Sequence, residues 1–310
     1  MVTNLNFDFM KLRKTAMTIS AVLLLLSMVS LATKGLNLGL DFTGGTLLEV
    51  SYQQPADIQK IRSQLEQSGF PGSTVQNFGS ETDVLIRMSE AYRDTLGAEV
   101  LEALRSEGLS DGAVNEVELR RSEFVGGQVG EELRDQGGLA LLMALFVVML
   151  YVAFRFQFKF SVGAVLALFH DVVIILGLFS VFQWDFDLTV FAALLAVIGY
   201  SLNDTIVVAD RIRENFRIVR KGDAIEIMNL SLNQTLGRTI MTSLTTALVL
   251  LALMFLGGEL IHNFALGLLI GVVVGTYSSI YVAANILLMM NLSREDLIPA
   301  ELEEEIDNLP

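Results

Sequence analysis

The residues with the clearest chemical potential lie inside an apolar run, where a charge is not expected. Asp204, with Asn203 before it, interrupts a hydrophobic segment that starts at Leu188 and ends in a basic cluster after Asp210. A carboxylate within a membrane helix costs roughly 2.5–3.5 kcal/mol on insertion scales. Such a group is expected only where it faces other protein, water or a moving proton. Asp204 is therefore the first candidate site residue.

Arg238, at the start of the following apolar run, is the cation best placed to neutralise Asp204. Thr242 and Thr246 follow it at i+4 and i+8, so the three residues share one helix face. If that face meets Asp204 and Asn203, the set forms a polar seam, which we predict to be a proton relay. The alternative is a fixed Asp204–Arg238 pair that pins two helices, with the hydroxyls bonded to backbone carbonyls.

A relay of this kind needs only a small displacement. A helix shift that moves Arg238 toward or away from Asp204 would switch the carboxyl group between releasing and binding a proton. One elementary charge crossing 100 mV is worth about 2.3 kcal/mol, which is comparable with the insertion cost of one charge. A membrane voltage can therefore drive such a switch.

His170 and Asp171 form a second ionisable pair near the middle of another apolar run. One interpretation is that they extend the relay. The other is a polar pair that is satisfied by packing against neighbouring spans, and the residue types alone leave both open.

Apolar runs long enough to cross a bilayer, about 20 residues each, recur along the 310-residue chain, which is 52% hydrophobic. Polar residues do not return every third or fourth position, as they would in an amphipathic soluble helix. The sequence predicts a polytopic α-helical membrane protein. Its six predicted transmembrane helices are 14–33, 136–154, 160–183, 188–209, 236–256 and 264–290.

Between the first two runs lies a stretch with the pattern of an α+β domain. Strands are predicted at 46–52, 73–78, 83–88 and 114–121, and helices at 55–68 and 91–107. The order β-α-β-β-α-β predicts a ferredoxin-like domain between helices 1 and 2.

Basic residues flank the runs on alternate sides, which predicts the orientation. The positive-inside rule places both termini in the cytoplasm and the α+β stretch outside. The first run also resembles a secretory signal, but its length favours a retained anchor. The predicted division is a cytoplasmic start with helix 1 (1–35), the outer domain (36–130), helices 2–6 (131–292) and an acidic cytoplasmic tail (293–310).

Two groups of glycines have a structural interpretation. Gly126, Gly127 and Gly130 stand where the outer domain joins the second run, either as a plain linker or as a hinge on which the domain swings. In the last run, Gly267, Gly271 and Gly275 recur every four residues, which is typical of a close helix-packing stripe.

Composition excludes several function classes. The chain has no cysteine, which rules out thiol chemistry and cysteine-ligated metals, and it lacks a phosphate-binding G-x-x-x-x-G-K-[ST] loop. The net charge of −14 disfavours nucleic acid as a partner, whereas the basic segment 211–221 is suited to anionic membrane lipid. We predict no enzyme activity and no cofactor, with protons as the coupling ion.

Four segments together carry a resemblance to a known family. They are 39–45 (GLDFTGG), 199–215, 234–239 (QTLGRT) and 275–283 (GTYSSIYVA). In combination they resemble the SecD/SecF family of bacterial protein-export membrane proteins, and within that family they resemble the smaller subunit. The likeness covers almost the whole chain.

That resemblance implies a member of the resistance-nodulation-division superfamily in the bacterial inner membrane. Such a protein works beside SecD at the SecYEG channel, with YajC and YidC as further candidate partners, and uses the proton-motive force to complete preprotein export on the outer side. Asp204 and Arg238 match the proton-coupling positions of the family. The chain departs at Gly127, where many relatives have proline, and six spans are half of a superfamily unit.

Two other functions are weighed against this one. A small-molecule or lipid exporter of the same superfamily is disfavoured, because the single outer domain is small. A non-catalytic scaffold subunit would tolerate loss of the Asp204 carboxylate.

Overall fold

The computed structural model of the chain describes residues 7–88, 93–106, 117–219 and 222–297. In that part of the chain, six helices are long and apolar enough to cross a membrane, which confirms the predicted number of spans. They are α1 (Arg13–Thr33, after a 3₁₀ turn at Phe9–Leu12), α5 (Gly127–Arg155), α6 (Phe158–Phe182), α7 (Leu188–Ile218), α8 (Ala224–Leu256) and the last span Ile261–Met289. The last span combines α9 (Glu259–Ser278), a π-helical turn (Ser279–Ala283) and α10 (Ala284–Met289).

Several helices extend beyond the predicted spans. Helix α7 continues to Ile218, so that residues 211–218 of the basic segment are helical. Helix α8 begins early because Asp223 and Glu226 form a capping box that satisfies its first backbone N–H groups. The end of the bundle where α7 stops and α8 starts is called the basic end below.

A four-stranded sheet with two helices stands at the opposite end of the bundle, which is called the sheet end. Its elements are β2 (Gly45–Tyr52), α3 (Ile58–Gln67), β3 (Thr74–Phe78), β4 (Ser80–Met88), α4 (Leu96–Ser106) and β5 (Val117–Val125), together named the α/β unit. All neighbouring strands are antiparallel, in the order β3-β4-β2-β5. The parts of the predicted elements at 91–92, 107 and 114–116 lie outside the described residues.

The α/β unit has its own apolar core. Alternate residues of the strands, such as Leu48, Val50 and Ile86, point to one face and are fully buried against Leu65 of α3 and Val100 of α4. This period of two is what a strand with one covered face requires. The other sheet face looks toward the bundle.

A short motif joins the unit to the bundle. Strand β1 (Asn37–Leu38) pairs in parallel with β6 (Asp185–Phe186), which lies in the link between α6 and α7. Helix α2 (Leu40–Thr43) follows, and its Asp41 carboxylate accepts a 3.0 Å hydrogen bond from the Leu188 backbone N–H at the start of α7.

The predicted hinge is a packed junction in the structure. Gly126 separates the end of β5 from α5, and Gly127 is already the first residue of that continuous helix. A Cβ atom on Gly130 would lie 2.9 Å from the Gly44 nitrogen and 3.0 Å from the Phe42 carbonyl carbon. Gly130 therefore permits close backbone contact, whereas a Cβ on Gly127 would meet no atom within 4 Å. A swinging motion at this point stays a prediction.

The glycine stripe of the last span packs against α7, as predicted. Gly267 faces Ala193, and a Cβ on Gly275 would lie 3.0 Å from the Ser201 Cβ. A Cβ on Gly271 would overlap Val197. Small residues thus bring the two helices into close contact and set the position of the polar side chains between them.

Candidate functional site

The first polar cluster surrounds Asp171 in the middle of α6, and the carboxylate is fully buried. Its Oδ2 atom accepts hydrogen bonds from Ser201 Oγ of α7 at 2.6 Å and from Ser278 Oγ of α9 at 2.8 Å. Its Oδ1 atom lies 2.9 Å from His170 Nδ1. Three charge-assisted contacts satisfy this carboxylate from both sides. We name this set the Asp171 cluster.

The Asp171 cluster reaches α1 through the imidazole ring. His170 Nε2 lies 3.2 Å from Ser20 Oγ, and Ser20 Oγ lies 3.1 Å from the Tyr277 hydroxyl. Tyr277 donates to the Ala16 carbonyl at 2.7 Å and stacks on the His170 ring. Because Tyr277 donates its proton to Ala16, the single Ser20 proton can go either to the Tyr277 oxygen or to His170 Nε2, but not to both. The cluster therefore ties α1, α6, α7 and α9 together.

The second polar cluster surrounds Asp204 of α7, which is only 2% exposed. Among the described residues, the hydrogen bond that reaches its side chain comes from Ser243 Oγ of α8 at 3.5 Å, the outer limit for such a bond. Ser243 also lies 2.6 Å from Thr276 Oγ1 of α9 and 3.4 Å from the Tyr200 hydroxyl. We name this set the Asp204 cluster.

The single Ser243 proton cannot serve both neighbours. Thr276 donates its own proton to the Val272 carbonyl at 2.7 Å, so the 2.6 Å contact requires Ser243 to be the donor. A hydroxyl group has one proton to donate. Asp204 thus competes with Thr276 for its hydrogen bond, and its carboxylate is poorly satisfied.

Arg238 does not form an ion pair with Asp204 at 4.0 Å or less in the described part of the chain. It lies within electrostatic reach of that carboxylate. It also lines an open cavity of about 350 Å³ near the basic end, together with Arg155, Arg211 and Asp210. The fixed pair considered from the sequence is therefore absent here, and the guanidinium group faces the cavity.

The other predicted relay residues are placed differently. Thr242 Oγ1 donates to backbone carbonyls of its own helix, at Arg238 and Thr239. Thr246 is half-buried on α8, and Asn203 is exposed on α7. The backbone-bonding alternative is thus what Thr242 shows. The hydroxyl that points to Asp204 is Ser243, one position further along the helix.

Sequence reasoning missed five polar members of the two clusters: Ser20, Ser243, Thr276, Tyr277 and Ser278. The sequence carried one signal for Ser243. It lies five residues after Arg238 and Thr242 lies four, so the two hydroxyls project from different faces of the helix. Serines and a tyrosine in apolar runs also pack helices routinely. Their partners could be identified only once the helices were placed.

No group of three or more His, Asp or Glu side chains in the described residues comes together in a way that could hold a metal ion. The arrangement offers hydrogen-bonding groups and two buried carboxylates, the elements of proton chemistry within a membrane.

These features define a class: a multi-pass helical membrane protein with two buried polar clusters and an α/β unit at one end. Residues 106–293 match the family described as protein export membrane protein SecD/SecF, C-terminal, and residues 29–56 match the SecD/SecF GG motif. The chain belongs to the SecD/SecF protein-export family.

Known relatives agree over nearly the full length. The chain is 51% identical to protein translocase subunit SecF of Pseudomonas aeruginosa over 303 residues, which covers 98% of this chain and 97% of the relative. It is 45% identical to the subunit of the same name from Escherichia coli O157:H7, over 96% of this chain and 92% of the relative.

Two solved structures share the fold. The crystal structure of SecDF from Thermus thermophilus, described as a translocon-associated membrane protein, superposes with a TM-score of 0.83 at 38% identity over 93% of this chain. A second SecDF structure, in a super-membrane-facing form, gives a TM-score of 0.70 at 37% identity over 98% of the chain. The chain spans only 39% and 41% of these SecDF chains.

Proposed function

We propose that the chain is an auxiliary subunit of the Sec protein translocase that works with SecD. In this proposal it uses the proton-motive force to promote the late stage of preprotein export across the bacterial inner membrane. Its role is in transport, without catalysis of a covalent reaction or a bound cofactor. Relatives named translocase subunit SecF and the similarity to SecDF support the assignment to this machinery.

The observation that carries the proton role is the incomplete satisfaction of Asp204. An ionised carboxylate offers about four acceptor sites, and this one receives a single long hydrogen bond from a hydroxyl group that has a closer partner. A buried charge with so few partners is costly. Asp204 can therefore change its protonation state without breaking a closed network.

In the proposed cycle, α8 is the element that moves against α7. It carries both Ser243 and Arg238, so a shift of α8 changes the hydrogen bond and the nearest cation of Asp204 together. The cavity beside Arg238 offers a route for water and protons from the basic end. His170 and Asp171 form a separate, fully bonded cluster, and their part in a relay has weaker support than that of Asp204. Thr242, Thr246 and Asn203 have weaker support, because no described hydrogen bond joins them to Asp204.

The orientation completes the proposal. The basic end lies in the cytoplasm with both termini, and the α/β unit lies in the periplasm as the 36–130 domain between helices 1 and 2. Its strand order β3-β4-β2-β5 supports the ferredoxin-like assignment. The remaining partners are SecYEG, YajC, YidC, the translocating preprotein and membrane lipid.

The test is Asp204→Asn in cells depleted of the native protein, at matched membrane levels. Asparagine keeps the shape and loses the titrating proton. We expect precursor proteins to accumulate as in depleted cells, while the variant still co-purifies with SecD. Asp135→Asn is the matched control, because this exposed α5 residue pairs with Arg134, lies outside both polar clusters and the cavity, and should leave export normal.

Other outcomes would contradict the proposal. Normal export by Asp204→Asn would leave a scaffold subunit as the function. Loss of small-molecule or lipid efflux without precursor accumulation would favour an exporter.

A further inference from the structure

One carboxylate at the sheet end holds three elements at once. Asp185, in the link between α6 and α7, accepts a 2.6 Å hydrogen bond on Oδ1 from Asn37 Nδ2 of β1. Its Oδ2 atom accepts from Gln76 Nε2 of β3 at 3.0 Å and from Arg87 Nη2 of β4 at 3.4 Å. The Asp185–Arg87 pair is sheltered, with side chains 19% and 18% exposed. Two strands of the α/β unit thus converge on one side chain of the bundle.

We propose that Asp185 is a latch, that is, a contact that can form and release, and that it holds the α/β unit against the sheet end of the bundle. Both of its oxygens are used, and all three partners are donors, so the contact selects a carboxylate. In sheltered surroundings an ion pair with Arg87 is screened less by salt than an exposed pair. The contact is therefore specific in geometry and in charge.

The latch stands beside a cleft. The open face of the sheet and the outer loops of the bundle enclose about 620 Å³, and Gln76, Arg87 and Asp185 lie among the residues that line this cleft. Much of the remaining wall is apolar, including Leu47, Leu85 and others of the sheet face. Release of Asp185 would let the sheet rise from the bundle and widen the cleft.

The latch is held without full satisfaction of the arginine. Among the described residues, Arg87 Nε is buried and has no hydrogen-bond partner. A buried charged donor without an acceptor costs free energy.

The position of the latch connects it to α7. Asp185 lies three residues before Leu188, the first residue of α7, whose N–H is bonded to Asp41 of the same joining motif. Asp204 lies 16 residues further along, about 24 Å down a straight helix. The α/β unit is therefore tied to the sheet end of α7 and would move with it. Transmission of an Asp204 event to the unit rests on the proposed function, but the latch does not.

The test measures the position of the α/β unit in the full chain with SecD in membranes. Because the chain has no cysteine, Gln67→Cys on α3 and Leu256→Cys at the sheet end of α8 are its only labelling sites, and SecD is supplied in a cysteine-free form. Both sites are exposed. We expect one narrow distance distribution in the parent, and a broad distribution with longer distances in Asp185→Asn. Asparagine must turn its NH₂ group toward Asn37 or toward the other donors.

Matched variants make the result decisive. Arg87→Gln should broaden the distribution in the same way, and Asp185→Glu should retain most of the narrow peak. Asp187→Asn changes the charge equally two residues away, keeps an N-cap acceptor for the Val190 N–H, and should leave the distribution unchanged. An unaltered distribution in both Asp185→Asn and Arg87→Gln would overturn the latch. A broadened one would support it even if Asp204→Asn exported normally, which would count against the proposed function alone.

Discussion

Two buried carboxylates of the same bundle differ in the number and length of the hydrogen bonds that they receive. Asp171 receives two short hydroxyl bonds and an imidazole contact from three helices. Asp204 receives one long bond from a hydroxyl that is already engaged. A fully bonded polar group rigidifies the core around it, whereas a poorly bonded one retains alternatives. The difference indicates that Asp171 fixes the packing of helices and that Asp204 is suited to change state.

The substitution with the largest expected loss of stability tests whether Asp171 fixes the packing of the helices. Asp171→Ala leaves Ser201, Ser278 and His170 without their shared acceptor. We expect a loss of about 2–3 kcal/mol in the free energy of unfolding, because buried polar groups are left unpaired. Chemical denaturation of the purified chain measures it. In the same experiment, Asp204→Asn should lower the free energy of unfolding by less than about 1 kcal/mol. Equal losses in the two variants would contradict the different roles inferred for Asp171 and Asp204.

The next effect separates two neighbouring hydroxyls of α8. Ser243→Ala removes the contacts of this hydroxyl with Asp204, Thr276 and Tyr200, whereas Thr242→Val removes bonds to carbonyls of its own helix. We expect Ser243→Ala to slow precursor processing several-fold while costing only about 0.6 kcal/mol in stability, the average for such bonds in membrane proteins. Thr242→Val should process precursors normally. If Thr242→Val slowed precursor processing and Ser243→Ala did not, the relay would lie on the helix face that carries Thr242.

A packing substitution perturbs the Asp171 cluster without replacing any of its polar side chains. Gly275→Ala would place a methyl group 3.0 Å from the Ser201 Cβ and push this serine from Asp171. We expect about 1 kcal/mol of destabilisation by overpacking. Gly199→Ala on α7 is the matched control, because a Cβ there meets no atom within 4 Å, and it should be neutral. Thermal unfolding of both variants measures the difference.

The smallest effect concerns a carboxylate outside the membrane spans, at the basic end. Lys159 donates to Asp296 at 2.6 Å, and this bond lowers the Asp296 pKa below its usual value. The pair therefore adds stability above the unfolded pKa of about 3.9, and this stability is lost as the pH falls through the lower folded value. We expect Asp296→Asn to be less stable by at most about 1 kcal/mol at pH 7. The two proteins should unfold alike well below pH 4.

Much of the architecture could be predicted from the sequence, because run length and strand alternation are local properties. The six spans, the order of elements in the α/β unit and the glycine stripe of α9 followed from such patterns. Helix ends did not, since α7 and α8 continue into polar sequence under the control of caps such as Asp223.

The candidate site was predictable only in part. A charge in an apolar run identified Asp204 and Asp171 without any structure. The partners of each depend on helix rotation, and a difference of one residue, Ser243 in place of Thr242, changes the face by about 100°. The two clusters also remain separate, because no described hydrogen bond joins them, and of the two interpretations of His170 and Asp171 this favours the satisfied polar pair.

The bond between Tyr277 and the Ala16 carbonyl has a consequence for biosynthesis. It joins residues 261 positions apart, and Ser20 meets the same tyrosine across 257 positions. A ribosome that adds about 5–20 residues per second needs tens of seconds to make the last helix after the first one. During that time α1 is inserted without its final neighbour. The contacts between α1 and α9 thus form only after the last helix has been made, whereas the Ser30–Ser180 contact between α1 and α6 can form while α7 to α9 are still being synthesised.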